Sequence, residues 1–166
     1  MKWFIKKNHH IQAQERFSEL LNVVQYWCHF SLSLQELVDV YVIYMKAQNN
    51  MKESIKYGLY SKELSETMFG VTSLATVEKN YQLSEIYYDF ALLNTAFMRY
   101  SETKSLLELY DKTDIPEYTN IMLRLAIICT QRGNFKESKS YILDGLKSCE
   151  LQEKNQKGVV VSPEEF

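Results

Sequence analysis

The chain has 166 residues, of which 46% are hydrophobic and 13% aromatic, with only 5 glycines and 2 prolines and a formal charge of -2. That length builds one ordinary domain with a real core, and so few Gly and Pro among so many apolar residues exclude a disordered chain and favour helix. A charge this close to zero removes the electrostatic case for wholesale binding to nucleic acid or to an anionic membrane.

The 3 cysteines, Cys28, Cys129 and Cys149, are odd in number and fall in segments that read as helix, so they are expected to be reduced, buried small hydrophobes. Met1 to His10 mixes Trp3, Phe4 and Ile5 with lysines and carries no secretion signal, which makes the cytoplasm the expected location. Leu20 to Leu34 lacks a full charge, but Asn22, Gln25, His29 and several serines interrupt it well short of the roughly 20 apolar residues that a membrane span needs.

In chain order, the first helix is predicted over about Ile11 to Phe30, with Phe17, Leu20, Leu21, Val24, Trp27 and Cys28 on one face and Trp27 as a core plug. Ser33 and Glu36 have the spacing of a capping box, so a second helix should start there. From Leu34 to Met45 it is apolar almost all round and should be the most buried element. Gln48 to Asn80 reads as helix with poorly marked boundaries. Within it Leu64, Gly70, Val71 and Glu78 echo a DNA-reading helix-turn-helix over Ser61 to Asn80. The spacing does not fit, however, and Thr72 to Lys79 holds a single basic residue for phosphate or base contacts. An ordinary helix pair with a Gly-containing turn is therefore expected, and a nucleic-acid partner is not.

Asn120 to Leu151 is the best-formed stretch. Met122, Leu125, Ala126 and Cys129 recur at helical spacing, Arg132-Gly133-Asn134 supplies a turn, and Phe135, Ser138, Ile142, Gly145 and Leu146 resume the spacing. The small residues Ala126, Ser138 and Gly145 would let two antiparallel helices approach closely. Upstream, Tyr87, Phe90, Ala91 and Asn94 repeat the spacing of Met122 to Cys129, and Thr103 and Leu107 answer Ser138 and Ile142, at an offset of about 35 residues against 34 for a tetratricopeptide unit. Asp114-Ile115-Pro116 ends the earlier hairpin, because proline cannot continue a helix.

On these residues the chain resembles the tetratricopeptide-repeat family between Ser84 and about Glu150. Gly133 matches the turn glycine of the pattern, Phe135 its following aromatic, and Ala126, Ser138 and Gly145 its small positions. Met122 and Cys129 replace the large first-helix aromatics, and no proline follows Cys149, so the repeat is degenerate. Its Lys/Asn-rich and tyrosine-rich flavour looks like the repeat domains of the RRNPP group of peptide-pheromone receptors. The resemblance implies an all-α fold of antiparallel hairpins stacked as a short solenoid. It would be a single domain over 1–158, clearest in repeats 84–118 and 119–151, with an extended tail at 159–166 ending in Glu164-Glu165-Phe166.

Catalytic and metal chemistry find no support. His9, His10 and His29 have no ligand spacing to the cysteines beyond adjacent Cys28-His29, whose side chains point to different faces. Glu63 with Glu66, and Glu164 with Glu165, read as solvated charge rather than an acid-base pair. No cofactor, metal or catalysis is expected. Binding is the expectation instead, since first helices of stacked hairpins line a concave face. That face would hold Tyr88, Leu92, Thr95 and Arg99, then Asn120, Leu123, Ile127 and Gln131. Leu92, Leu123 and Ile127 would accept side chains of a peptide or protein partner, Asn120 and Gln131 would pair with its backbone, and Arg99 would take a carboxylate. The competing expectation is an oligomerisation module in which the chain meets its own copy as a homodimer, Leu123 and Ile127 being packing residues.

Overall fold

In the computed structural model, residues 10–27 and 31–158 are described. Cys28, His29, Phe30 and the tail at 159–166 lie outside them, as do the side chains of His10 and Trp27. Among the described residues there are seven helices and no strand: α1 His10–Trp27, α2 Leu32–Ala47, α3 Met51–Phe69, α4 Leu74–Asp89, α5 Leu93–Leu109, α6 Pro116–Gln131 and α7 Phe135–Gly158. The fold class is all-α, as the periodicity indicates. No described helix is long and apolar enough to cross a membrane.

Local chemistry sets the boundaries. Ser31, with extended backbone, accepts a hydrogen bond from the Leu34 N–H at 3.2 Å. Helix α2 therefore starts two residues ahead of the expected Ser33–Glu36 box, and Ser33 lies inside its first turn. Asn50 caps α3 through the Glu53 N–H at 3.3 Å, and Ser73 caps α4 through the Thr76 N–H at 3.2 Å. Pro116 opens α6, where its missing N–H costs nothing. Gly70 at φ 94 makes the turn between α3 and α4, so the 61–80 stretch is an ordinary helix pair.

Four other turns share one cap. Asn49, Ala91, Asp111 and Gly133 are left-handed, at φ 56, 57, 52 and 75. In each, the left-handed residue's N–H bonds the carbonyl three back and the next N–H bonds the carbonyl five back, as in Ala91 to Tyr88 and Leu92 to Tyr87, both 2.9 Å. This is the Schellman closure, which satisfies carbonyls that a helix end leaves open. Asn49, Ala91 and Gly133 follow one another at 42 residues. The small buried residues keep the same step: Ser54, Ala96 and Ser138 in one register, Ser61, Thr103 and Gly145 in another. The turns and small buried positions thus recur at 42 residues rather than 35. Phe90 and Ala91, expected inside a helix, are turn residues, and neither 84 nor 119 begins a helix.

The chain divides into two compact units, Met1–Leu92 and Leu93–Phe166. In the first, Leu34, Val38 and Val42 of α2 pack with Leu64 of α3 and with Leu83 and Ile86 of α4. A second cluster joins Ala13 and Phe17 of α1 to Tyr41, Tyr44 and Met45. Helix α2 is not the most buried element as expected: α6 buries as many residues over the same length, and Leu32 and Ile43 of α2 are 62% and 65% exposed. In the second unit, Ile121, Met122, Leu125, Ile128 and Cys129 of α6 are fully buried. The partner face of α7 is its small one. Ser138 Oγ donates to the Ala126 carbonyl at 2.9 Å, Gly145 lies over Met122, and Ser148 Oγ donates to the Thr113 carbonyl at 2.6 Å. Phe135, Ile142 and Leu146, which share the helical spacing, are exposed, as is Cys149. Only Cys129 of the two described thiols is buried.

Candidate functional site

A groove of about 300 Å³ lies in the first unit and is lined by α2, α3 and α4. Its floor is apolar: Val42, Leu83 and Ile86 surround Gly58, which contributes backbone alone. A Cβ at Gly58 would meet Ile86 Cδ1 at 2.8 Å and Leu83 Cδ1 at 3.1 Å, so a side chain here would have to displace the ends of those two residues. The rim is polar and held in place. Asp39 Oδ2 pairs with Lys79 Nζ at 2.7 Å, and Asp39 Oδ1 accepts from Ser61 Oγ at 2.6 Å. Lys79 also donates to Gln82 Oε1 at 3.3 Å, and Lys46 pairs with Asp89 at 2.6 Å. One carboxylate thus ties three helices together while Ile43 stands exposed at the groove edge.

The eight residues singled out from the sequence do not converge within either unit. Tyr88 and Leu92 belong to the first unit and do not line its groove; Leu92 follows the left-handed turn at Ala91. Thr95, half-buried, opens α5 in the second unit. Arg99 is engaged by Glu102 of its own helix at 3.1 Å. Asn120 is exposed on α6. Leu123, Ile127 and Gln131 do share a shallow groove of about 210 Å³, closed by Ser138 and Ile142 of α7. Asp39, Ser61 and Lys79 escape sequence reading because they are far apart in the chain. The available signal was Asp39, an acid inside an apolar helix, where a charge needs a partner.

The second unit also holds a polar pocket of about 250 Å³ between Glu108, Tyr118, Asp144 and Ser148. Burial, then the hydrogen bond to Glu108 at 2.8 Å and its charge, pushes the Tyr118 phenol well above its ordinary value. Nearby, burial and then Glu137, which accepts from Tyr141 Oη at 3.2 Å, push Tyr141 from 10.0 up to about 12. Burial foremost, with Glu137 next, also raises the Cys129 thiol, leaving it a protonated packing group. Because folding favours the neutral phenols, their contribution is complete below pH 10.0 and is lost as pH rises towards about 12. The urea midpoint of the chain should therefore fall over that window, and Tyr141→Phe should flatten the fall. A slope identical in the variant would remove Tyr141 from the account. Among the described residues no group of three or more His, Cys, Asp or Glu side chains is placed to hold a metal ion.

No family model matches the chain, and no curated protein is similar to it in sequence. A solved structure is similar in fold. The crystal structure of BtubC (BKLC) from P. vanneervenii superposes with a TM-score of 0.75 at 11% identity, covering 98% of this chain. This chain spans 64% of the length of that one. At such identity the likeness concerns the fold alone.

Proposed function

We propose that the chain is a non-catalytic module that binds a short segment of a peptide or protein partner in the first-unit groove, as an adaptor or regulator. The observation that carries this reading is the apolar floor around Gly58 beneath a rim fixed by the Asp39–Lys79–Ser61 connections. An apolar side chain would enter over Val42 and Leu83, and Gln82, whose amide donates to Glu78 Oε1 at 3.0 Å and accepts from Lys79, keeps a second N–H and a second lone pair to pair with a peptide backbone. A rim already rigid in the free protein loses little entropy on binding. The tetratricopeptide-like reading belongs with this proposal: hairpins with small residues in register favour it, while the 42-residue period is longer than that family's 34.

The test uses the tagged full chain to retain partners from lysate, with their identity and amount read by mass spectrometry. Ile43→Glu combined with Gln82→Ala is expected to reduce retention of the specific partner by about tenfold or more, leaving the circular-dichroism spectrum and melting temperature unchanged. Undiminished retention by a folded double variant would remove binding from this groove.

A further inference from the structure

The shallow groove between α6 and α7 has a counterpart in the first unit that the chain itself covers. Asn49 and Gly133 stand two of the 42-residue steps apart, as do Ser54 and Ser138, and Ser61 and Gly145. The same shift carries Asp39, Val42 and Ile43 of α2 onto Leu123, Ala126 and Ile127 of α6, and Gly58 of α3 onto Ile142 of α7. In the first unit α4 lies across this set. Lys79 pairs with Asp39 at 2.7 Å, while Leu83 and Ile86 stand against Gly58 and pack with Val42. The contact is thus made by residues at i, i+4 and i+7 of one helix. In the second unit the matching residues line the groove of about 210 Å³, and Leu123 and Ile142 are 54% and 50% exposed.

We infer that the α6–α7 groove takes an amphipathic helix of a partner polypeptide, antiparallel to α7 and apolar at i, i+4 and i+7. The direction follows from α4, which the short turn at Gly70 sends back along α3. The residue at i must differ from the one α4 uses. Lys79 answers the Asp39 carboxylate, whereas Leu123 holds that place in the second unit and would desolvate an ammonium without pairing it, so an apolar residue is required. Helix α6 is the chain's own example of such a pattern: Ile121, Leu125 and Ile128 lie one step beyond Lys79, Leu83 and Ile86 and are fully buried. A large side chain at the Gly58 place does not prevent cover, since Tyr100, which holds it on α5, is fully buried. An extended segment is a poorer occupant. Leu123, Ile127 and Ile142 offer its backbone no hydrogen bond, while a helix satisfies its own N–H and carbonyl groups and presents apolar anchors at this spacing.

The probe is a synthetic peptide copying Ser73–Asp89 with Lys79→Ile, acetylated or labelled at its start and amidated at its end, and fluorescence anisotropy reads its binding to the full chain. Saturable binding is expected. Leu123→Glu and Ile142→Glu in the chain should each weaken it by about tenfold or more, and Ile43→Glu, which alters the first-unit groove, should leave it unchanged. The peptide that keeps Lys79 should bind about tenfold more weakly. A peptide this short is barely helical alone, so helix gained on binding is a second readout. Both second-unit positions are exposed, and unchanged circular dichroism of each variant confirms that it is folded. Absence of saturable binding overturns the inference, as does binding that Ile43→Glu removes and the two second-unit variants leave intact. A wild type that sediments as a dimer and becomes monomeric with Ile142→Glu also overturns it, because a second copy would then cover the groove.

Discussion

Phe17→Ala is expected to cost about 3–5 kcal/mol and to release α1 from the first unit. The ring is 1% exposed and stacks on Tyr41, centroid to centroid 3.6 Å, while Tyr57 meets it edge-on at 5.2 Å. Tyr57 is also edge-on to Tyr41 at 4.8 Å, so three aromatic rings from three helices form one cluster. Among the described side chains of α1, Ala13 is the other buried one and is small, while Leu21 and Val24 are only partly buried against the cores. The urea midpoint should drop, and amide exchange across 10–27 should accelerate far more than that of α6. Exchange in α1 unchanged by the substitution would show that the helix is held by something other than this ring.

Gly145→Leu is expected to destabilise the second unit by about 1–3 kcal/mol. A Cβ at 145 would stand 3.2 Å from Met122 Cβ, an atom fixed to the backbone of α6 rather than the end of a flexible chain. Met122 is fully buried, so it has no solvent to turn into, and the two helices would have to part. Parting them would lengthen the Ser138–Ala126 hydrogen bond in the same seam. Chemical melts of the variant and parent decide it: coincident curves would mean that α6 and α7 tolerate separation and that the close crossing is not a constraint.

The α6–α7 hairpin was legible because Gly133 and Asn134 punctuate it and because Ala126, Ser138 and Gly145 are small at helical spacing. The preceding hairpin was misregistered for a physical reason. Ala91 adopts the left-handed conformation that glycine usually fills, so its turn leaves no glycine in the sequence, and Phe90 beside it looks like a core residue. Once the structure gives the 42-residue step, the Ser54–Ala96–Ser138 and Ser61–Thr103–Gly145 series becomes visible. Period alone also could not say which side of α7 faces inward. Large apolar residues and small ones both recur there, and close packing selected the small ones. Of the candidate binding residues, Leu123, Ile127 and Gln131 do share a groove, but the Asp39–Ser61–Lys79 arrangement depends on three helices meeting and is absent from any local pattern.

The recurring left-handed turn has a genetic consequence. Between Asn49 and Gly133, each stretch of coding sequence 42 codons long carries two helices and one set of small contact positions. Copying or deleting that length keeps the spacing between turns and small positions, whereas a change of a few codons inside a helix would swing a buried stripe towards water. Since Asn49, Ala91 and Gly133 hold the same backbone with three different side chains, point mutation at the turn is tolerated more readily than a change in its spacing. Selection on this chain should therefore act on the distance between turns more strictly than on the residues that make them.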